Sequence, residues 1–128
     1  MRLIRFLVQG RTAYGIVDND EVAELDGEGY NALSSVRARY LIAEVSLLAP
    51  CVPTKIVAVG LNYRDHAREL GMLVPESPIL FLKPPTSVVG PGQAIVRPGM
   101  STQVDFEAEL GIVVRDRIHR ISPAESRS

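Results

Sequence analysis

Apolar and polar positions alternate over short runs along most of the chain, a period of two that places side chains on opposite faces of a β-strand. Residues 2–8 and 12–17 read as strands joined at Gly10-Arg11, and residues 21–25 as a third, stopped at Asp26-Gly27. Asp18-Asn19-Asp20 reads as the turn between the last two, because Asn and Asp tolerate left-handed backbone and bond their own main chain. Residues 31–40 are expected to form a short helix with Asn31 as its N-cap. Nothing in this first part has catalytic character, so it reads as a small antiparallel covering or docking unit over residues 1–49. Pro50 and Pro53 mark a linker.

Beyond the linker the pattern changes. Residues 55–60 form a short apolar run ended by glycine, and residues 62–70 suit a helix with Gly71 as its stop. Residues 79–82 are a second apolar strand, ending in Lys83-Pro84-Pro85. A Gly- and Pro-rich loop follows over 87–92, and residues 93–97 suit another strand. The run V-D-F-E-A-E-L-G-I-V-V, residues 104–114, reads as a strand entering a core. Asp105, Glu107 and Glu109 share one face of it. Buried carboxylates need cations or a metal beside them, so this end is either in water or next to positive charge.

Composition narrows the class. The chain has 128 residues, 46% hydrophobic and 23% charged, the balance of a soluble globular protein. A net charge of −1 gives no electrostatic reason to expect nucleic acid or an anionic membrane as partner. The start, M-R-L-I-R-F-L-V-Q-G-R, imitates a signal peptide but fails, because Arg5 breaks the apolar run and Gln9 and Arg11 close it. No stretch is long enough to span a membrane. The single cysteine, Cys51, excludes an internal disulfide and suits a reducing compartment. A cytoplasmic location is expected, with Cys51 as a small buried hydrophobe.

Two constellations can carry chemistry. In L-N-Y-R-D-H-A-R-E-L, His66 and Glu69 lie three apart, so on a helix they are neighbours. A carboxylate beside an imidazole orients the ring and raises its basicity, which a general base needs. The same spacing also suits a solvated helical face with an incidental ion pair. Glu107 and Glu109, two apart on a strand, can both reach one metal ion. Carboxylates without clustered Cys or His favour a hard divalent ion such as Mg²⁺, Mn²⁺ or Ca²⁺ over zinc. An amphipathic strand with its polar face in water fits equally well. His119, among Arg115, Arg117 and Arg120, reads as surface.

Taken in order, K-I-V-A-V-G-L-N-Y-R-D-H-A-R-E-L-G, P-I-L-F-L-K-P-P-T-S-V-V-G-P and V-D-F-E-A-E-L-G-I-V-V resemble the fumarylacetoacetate hydrolase family, over residues 53 to about 123. The resemblance implies a mixed α/β, β-rich fold: residues 53–128 as an incomplete rolled β-sheet core, preceded by the small N-terminal subdomain. It implies a small-molecule oxo-acid or enol substrate, such as a diketo or hydroxy-diene acid. The reactions it implies are carbon–carbon hydrolysis, decarboxylation or isomerisation, and a complete member is expected to be a homodimer. It implies Mg²⁺ or Mn²⁺ as the metal, with Glu107 and Glu109 as two of its ligands. His66 is implied as the catalytic histidine, Glu69 as its partner and Lys83 as a pocket-edge substrate contact. Asp105 matches no ligand and is expected to be solvated or to support one.

The family's third metal carboxylate is an aspartate in a motif resembling N-D-x-T-A-R-D, downstream of the E-x-E run. No such motif stands in this sequence. Ser122-Pro123-Ala124-Glu125 announces a helix, with Ser as N-cap and Glu three residues after it. The expectation from these two features is a truncated family member, inactive alone. The alternative class is a non-catalytic fragment or interaction module whose open sheet exposes strand edges and aggregates. A further alternative is a small α/β binding domain whose acidic strand meets a basic partner.

Overall fold

The computed structural model describes residues 2–27, 29 and 34–127, and most of its regular structure is β-sheet. Strands β1 (Arg2–Val8), β2 (Arg11–Asp18), β3 (Glu21–Leu25), β4 (Val36–Leu41) and β5 (Ser46–Leu47) form one antiparallel sheet in the order β4-β3-β2-β1-β5. The β1–β2 turn is two residues long, with Gln9 and Gly10 both at positive φ (49° and 77°). A two-residue hairpin matched to the right-handed twist of its strands requires that conformation, and glycine adopts it without steric cost. Asn19 (φ 51°) serves the β2–β3 turn.

One face of this sheet makes the core. Phe6, Val8, Ala13 and Val22 are buried, and Ile4, Val17, Tyr40, Ile42, Val45 and Leu47 pack against them. Register brings them together: Phe6 opposes Ala13 and Leu47, and Val22 opposes Val17 and Tyr40. The Phe6 and Tyr40 rings meet edge to face, with centroids 6.3 Å apart.

The helix expected over 31–40 is not there. Residues 31–33 lie outside the described residues, and Val36–Leu41 is the edge strand β4. Its own pattern explains this: Ala38 and Tyr40 are half-buried while Arg37 and Arg39 are exposed, the period of a strand. Pairing with β3 satisfies the backbone, so tertiary context overrides the local capping signal.

After an irregular passage, β6 (Ile56–Gly60) and β7 (Ile79–Lys83) form a two-stranded antiparallel sheet. Helix α1 (Arg64–Glu69) lies between them in sequence. It ends in a Schellman motif: Met72 donates to the Ala67 carbonyl and Gly71 to that of Arg68, with Gly71 at φ 65°. The expected strands at 93–97 and 104–114 are not in any ladder, and β7 is exposed along its whole length rather than buried. A strand is defined by a neighbour's hydrogen bonds, and among the described residues none pairs with either segment. Their apolar side chains stand in solvent, Phe106 at 95% exposure. Among the described residues no helix is long and apolar enough to cross a membrane.

Candidate functional site

The α1 sequence carries its polar chemistry on one face and a small residue, Ala67, on the other, fully buried. That burial fixes the rotation of the short helix. His66 is thereby presented with Glu69 one turn on, its Nδ1 3.7 Å from Glu69 Oε2. The opposite ring nitrogen, Nε2, lies 3.8 Å from Glu107 Oε1. Just before the helix, Asn62 Nδ2 donates to Glu109 Oε2 at 3.2 Å. The structure therefore joins the two constellations, which are about 40 residues apart in sequence. Glu107 and Glu109 do face the same way, toward α1.

Both His66 contacts are longer than a hydrogen bond, and both carboxylates are exposed. A neutral imidazole has one N–H and one lone pair. With a carboxylate at each nitrogen, one can hold the ring while the other nitrogen stays free to take or give a proton. Exposure keeps the cluster open to a small solute.

Asp105 stands apart from the cluster, accepting from Gln103 Nε2 at 2.9 and 3.0 Å. Lys83, at the end of β7, holds its ammonium 5.8 Å from the Phe81 ring centroid and has no described contact with the His66 cluster. His119 is exposed, as expected of a surface residue. Asn62 was not singled out by sequence reasoning. Its partner, Glu109, lies 47 residues away, so no local signal in the sequence marks it.

For a divalent ion the donor set fits in kind and falls short in number. Glu107 and Glu109 offer exposed, hard carboxylate oxygens of the sort Mg²⁺ and Mn²⁺ prefer. Among the described residues no group of three or more His, Cys, Asp or Glu converges on one point. A closed coordination sphere needs oxygens from water, a substrate or further residues.

A second charged cluster lies in the first sheet. Glu24 follows Val22 by two residues on β3, so it shares the core face and is 2% exposed. Arg11 grips it with two hydrogen bonds, at 2.6 and 2.7 Å, and the Tyr40 hydroxyl donates at 3.0 Å. The Arg11 hydrogen bonds hold the Glu24 carboxyl below its usual range against the opposing effect of burial. This is a buried acid made tolerable by its partners.

Comparison with known proteins assigns the chain. The family model described as "Fumarylacetoacetate (FAA) hydrolase C-terminal" matches residues 55–128, and one described as "Rv2993c-like, N-terminal" matches residues 1–50. The chain belongs to the fumarylacetoacetate hydrolase family. A protein of Archaeoglobus fulgidus is 44% identical over 117 residues, covering 88% of this chain and 41% of the relative. The mitochondrial oxaloacetate tautomerase Fahd2a of Rattus norvegicus is 36% identical over 115 residues, 88% of this chain and 32% of the relative. The crystal structure of a 2-hydroxyhepta-2,4-diene-1,7-dioate isomerase from Mycobacterium marinum superposes with a TM-score of 0.56 at 27% identity, covering 70% of this chain and 34% of that one. The chain thus spans between about a third and two fifths of the length of these relatives.

Proposed function

We propose that this chain carries the acid–base wall of a divalent-metal-dependent site acting on small oxo-acids or their enols. His66 moves the proton, and Glu69 orients its ring. Glu107 and Glu109 supply two ligands to Mg²⁺ or Mn²⁺, whose chemistry when bound is to polarise an oxo-acid carbonyl. Lys83 is the substrate contact at the pocket edge. The observation that carries the reading is His66 set between Glu69 and Glu107, at 3.7 and 3.8 Å. The names of the isomerase and tautomerase relatives favour proton transfer between carbon and oxygen over carbon–carbon cleavage or decarboxylation.

The test is a Mn²⁺ titration of the chain followed by water-proton relaxation, with and without oxaloacetate. Expected is saturable enhancement that Glu107→Gln with Glu109→Gln removes, and tighter binding when the oxo-acid is present. Enhancement unchanged in the double variant would contradict the assignment.

A second reading, a non-catalytic interaction module, draws on the exposed apolar side chains of the second part, Leu73 at 93% and Phe106 at 95% among them. Mg²⁺-dependent turnover of an acylpyruvate by the purified chain would exclude it.

A further inference from the structure

Residues 104–114 belong to no sheet, yet Glu107 and Glu109 face α1 together. Something other than ladder hydrogen bonds sets their register. Two polar side-chain contacts join this segment to the region of α1: Glu107 to His66 and Glu109 to Asn62. Asn62, just before α1, meets Glu109, and His66, within α1, meets Glu107, as two rungs running in opposite directions along the two segments.

The rungs differ in kind. His66 to Glu107, at 3.8 Å, is a contact beyond hydrogen-bond distance. Asn62 to Glu109, at 3.2 Å, is a directed amide-to-carboxylate hydrogen bond. An amide donor also occupies one lone pair of the carboxylate and leaves the others available.

We infer that Asn62 is a positioning residue: its side-chain amide orients the Glu109 carboxylate and so sets the register that presents Glu107 to His66. The geometric half stands on these contacts alone. Its consequence for metal binding rests on the function proposed above. Hydrogen-bonded partners of ligating carboxylates typically tune metal affinity by about 10- to 100-fold.

Two measurements test it. In the metal-free chain, NMR should show a cross-relaxation contact between the Asn62 side-chain amide and the Glu109 methylenes, and another between the His66 ring and Glu107. Asn62→Asp, of equal size but unable to donate, and Asn62→Ala should each weaken the His66–Glu107 contact while leaving the resonances of the first sheet in place. A His66–Glu107 contact of full intensity in both variants would overturn the inference. The second measurement is the Mn²⁺ dissociation constant. Asn62→Ala should raise it by about 10-fold or more, and should have no further effect beside Glu109→Gln. Equal losses in both backgrounds would mean that Asn62 does not act through Glu109. A wild-type chain that binds no Mn²⁺ would remove the metal reading, while the NMR result would still decide the register.

Discussion

At the residue scale, Glu24 shows how a local rule is kept by a distant partner. Its place two residues after Val22 marks a core position, where a lone carboxylate would be costly. Arg11 and Tyr40 reach it from β2 and β4. Removing it with Glu24→Ala leaves their donors without an acceptor and should cost about 1–3 kcal/mol, measured as a lower urea midpoint. Because its carboxyl titrates lower folded than unfolded, its contribution is complete above the ordinary carboxylate range. It is lost as pH falls through the folded value. The stability difference between wild type and Glu24→Gln should therefore shrink on acidification, and a difference that grows would contradict this sign.

Gly15 is the second residue whose identity the packing dictates. A Cβ there would stand 2.4 Å from the Ala23 carbonyl oxygen and 3.1 Å from the Phe6 ring. Gly15→Ala should destabilise the sheet by about 1–3 kcal/mol, with β2 and β3 amides losing exchange protection first. Neither Glu24 nor Gly15 is legible as special in the sequence, since each depends on what a neighbouring strand places opposite.

At the scale of elements, legibility follows locality. Strands β1, β2 and β3 were readable because period-two patterns and tight turns are written within a few residues. Helix α1 and its Gly71 stop were readable for the same reason. Edge strand β4 was misread, as a helix-capping signal stood where the R-A-R-Y alternation decided the outcome by pairing with β3. The run 104–114 has strand composition, but among the described residues no strand pairs with it. The capping bond announced by Ser122 does form, with the Ser122 amide donating to Glu125 Oε2 at 2.7 Å, but only a 3-10 turn follows, at Glu125–Arg127. Helix α1 spans only six residues, so its end matters. Gly71→Ala forces a Cβ into left-handed backbone and should cost about 1–2 kcal/mol. Because α1 carries His66, the same variant should raise amide exchange at 66–70 and weaken the contact with Glu107.

At the scale of the whole molecule, the candidate site was legible in its parts and not in its assembly. His66 with Glu69 follows from helical spacing, and Glu107 with Glu109 from alternation. That His66 is the residue between the two sets is a tertiary fact. The role of Lys83 is carried by resemblance, and its ammonium lies 5.8 Å from the Phe81 ring centroid. Leu73, Phe106 and Leu110 stand 93%, 95% and 82% exposed, and exposed apolar side chains favour association when they form a patch. The chain alone should associate as concentration rises, read by sedimentation velocity, and Phe106→Ser with Leu110→Ser should reduce that association. Monomeric behaviour at all concentrations would show that this surface is tolerated in water.

Two segments about 40 residues apart in sequence form one cluster, and the proposed function has it hold a divalent ion. Paramagnetic broadening by substoichiometric Mn²⁺, mapped residue by residue in the labelled chain, tests it most directly. Signals of Asn62, His66 and 107–109 should broaden first and together. Broadening that begins at the acidic turn of Asp18, Asp20 and Glu21, or is spread evenly over the surface carboxylates, would contradict it.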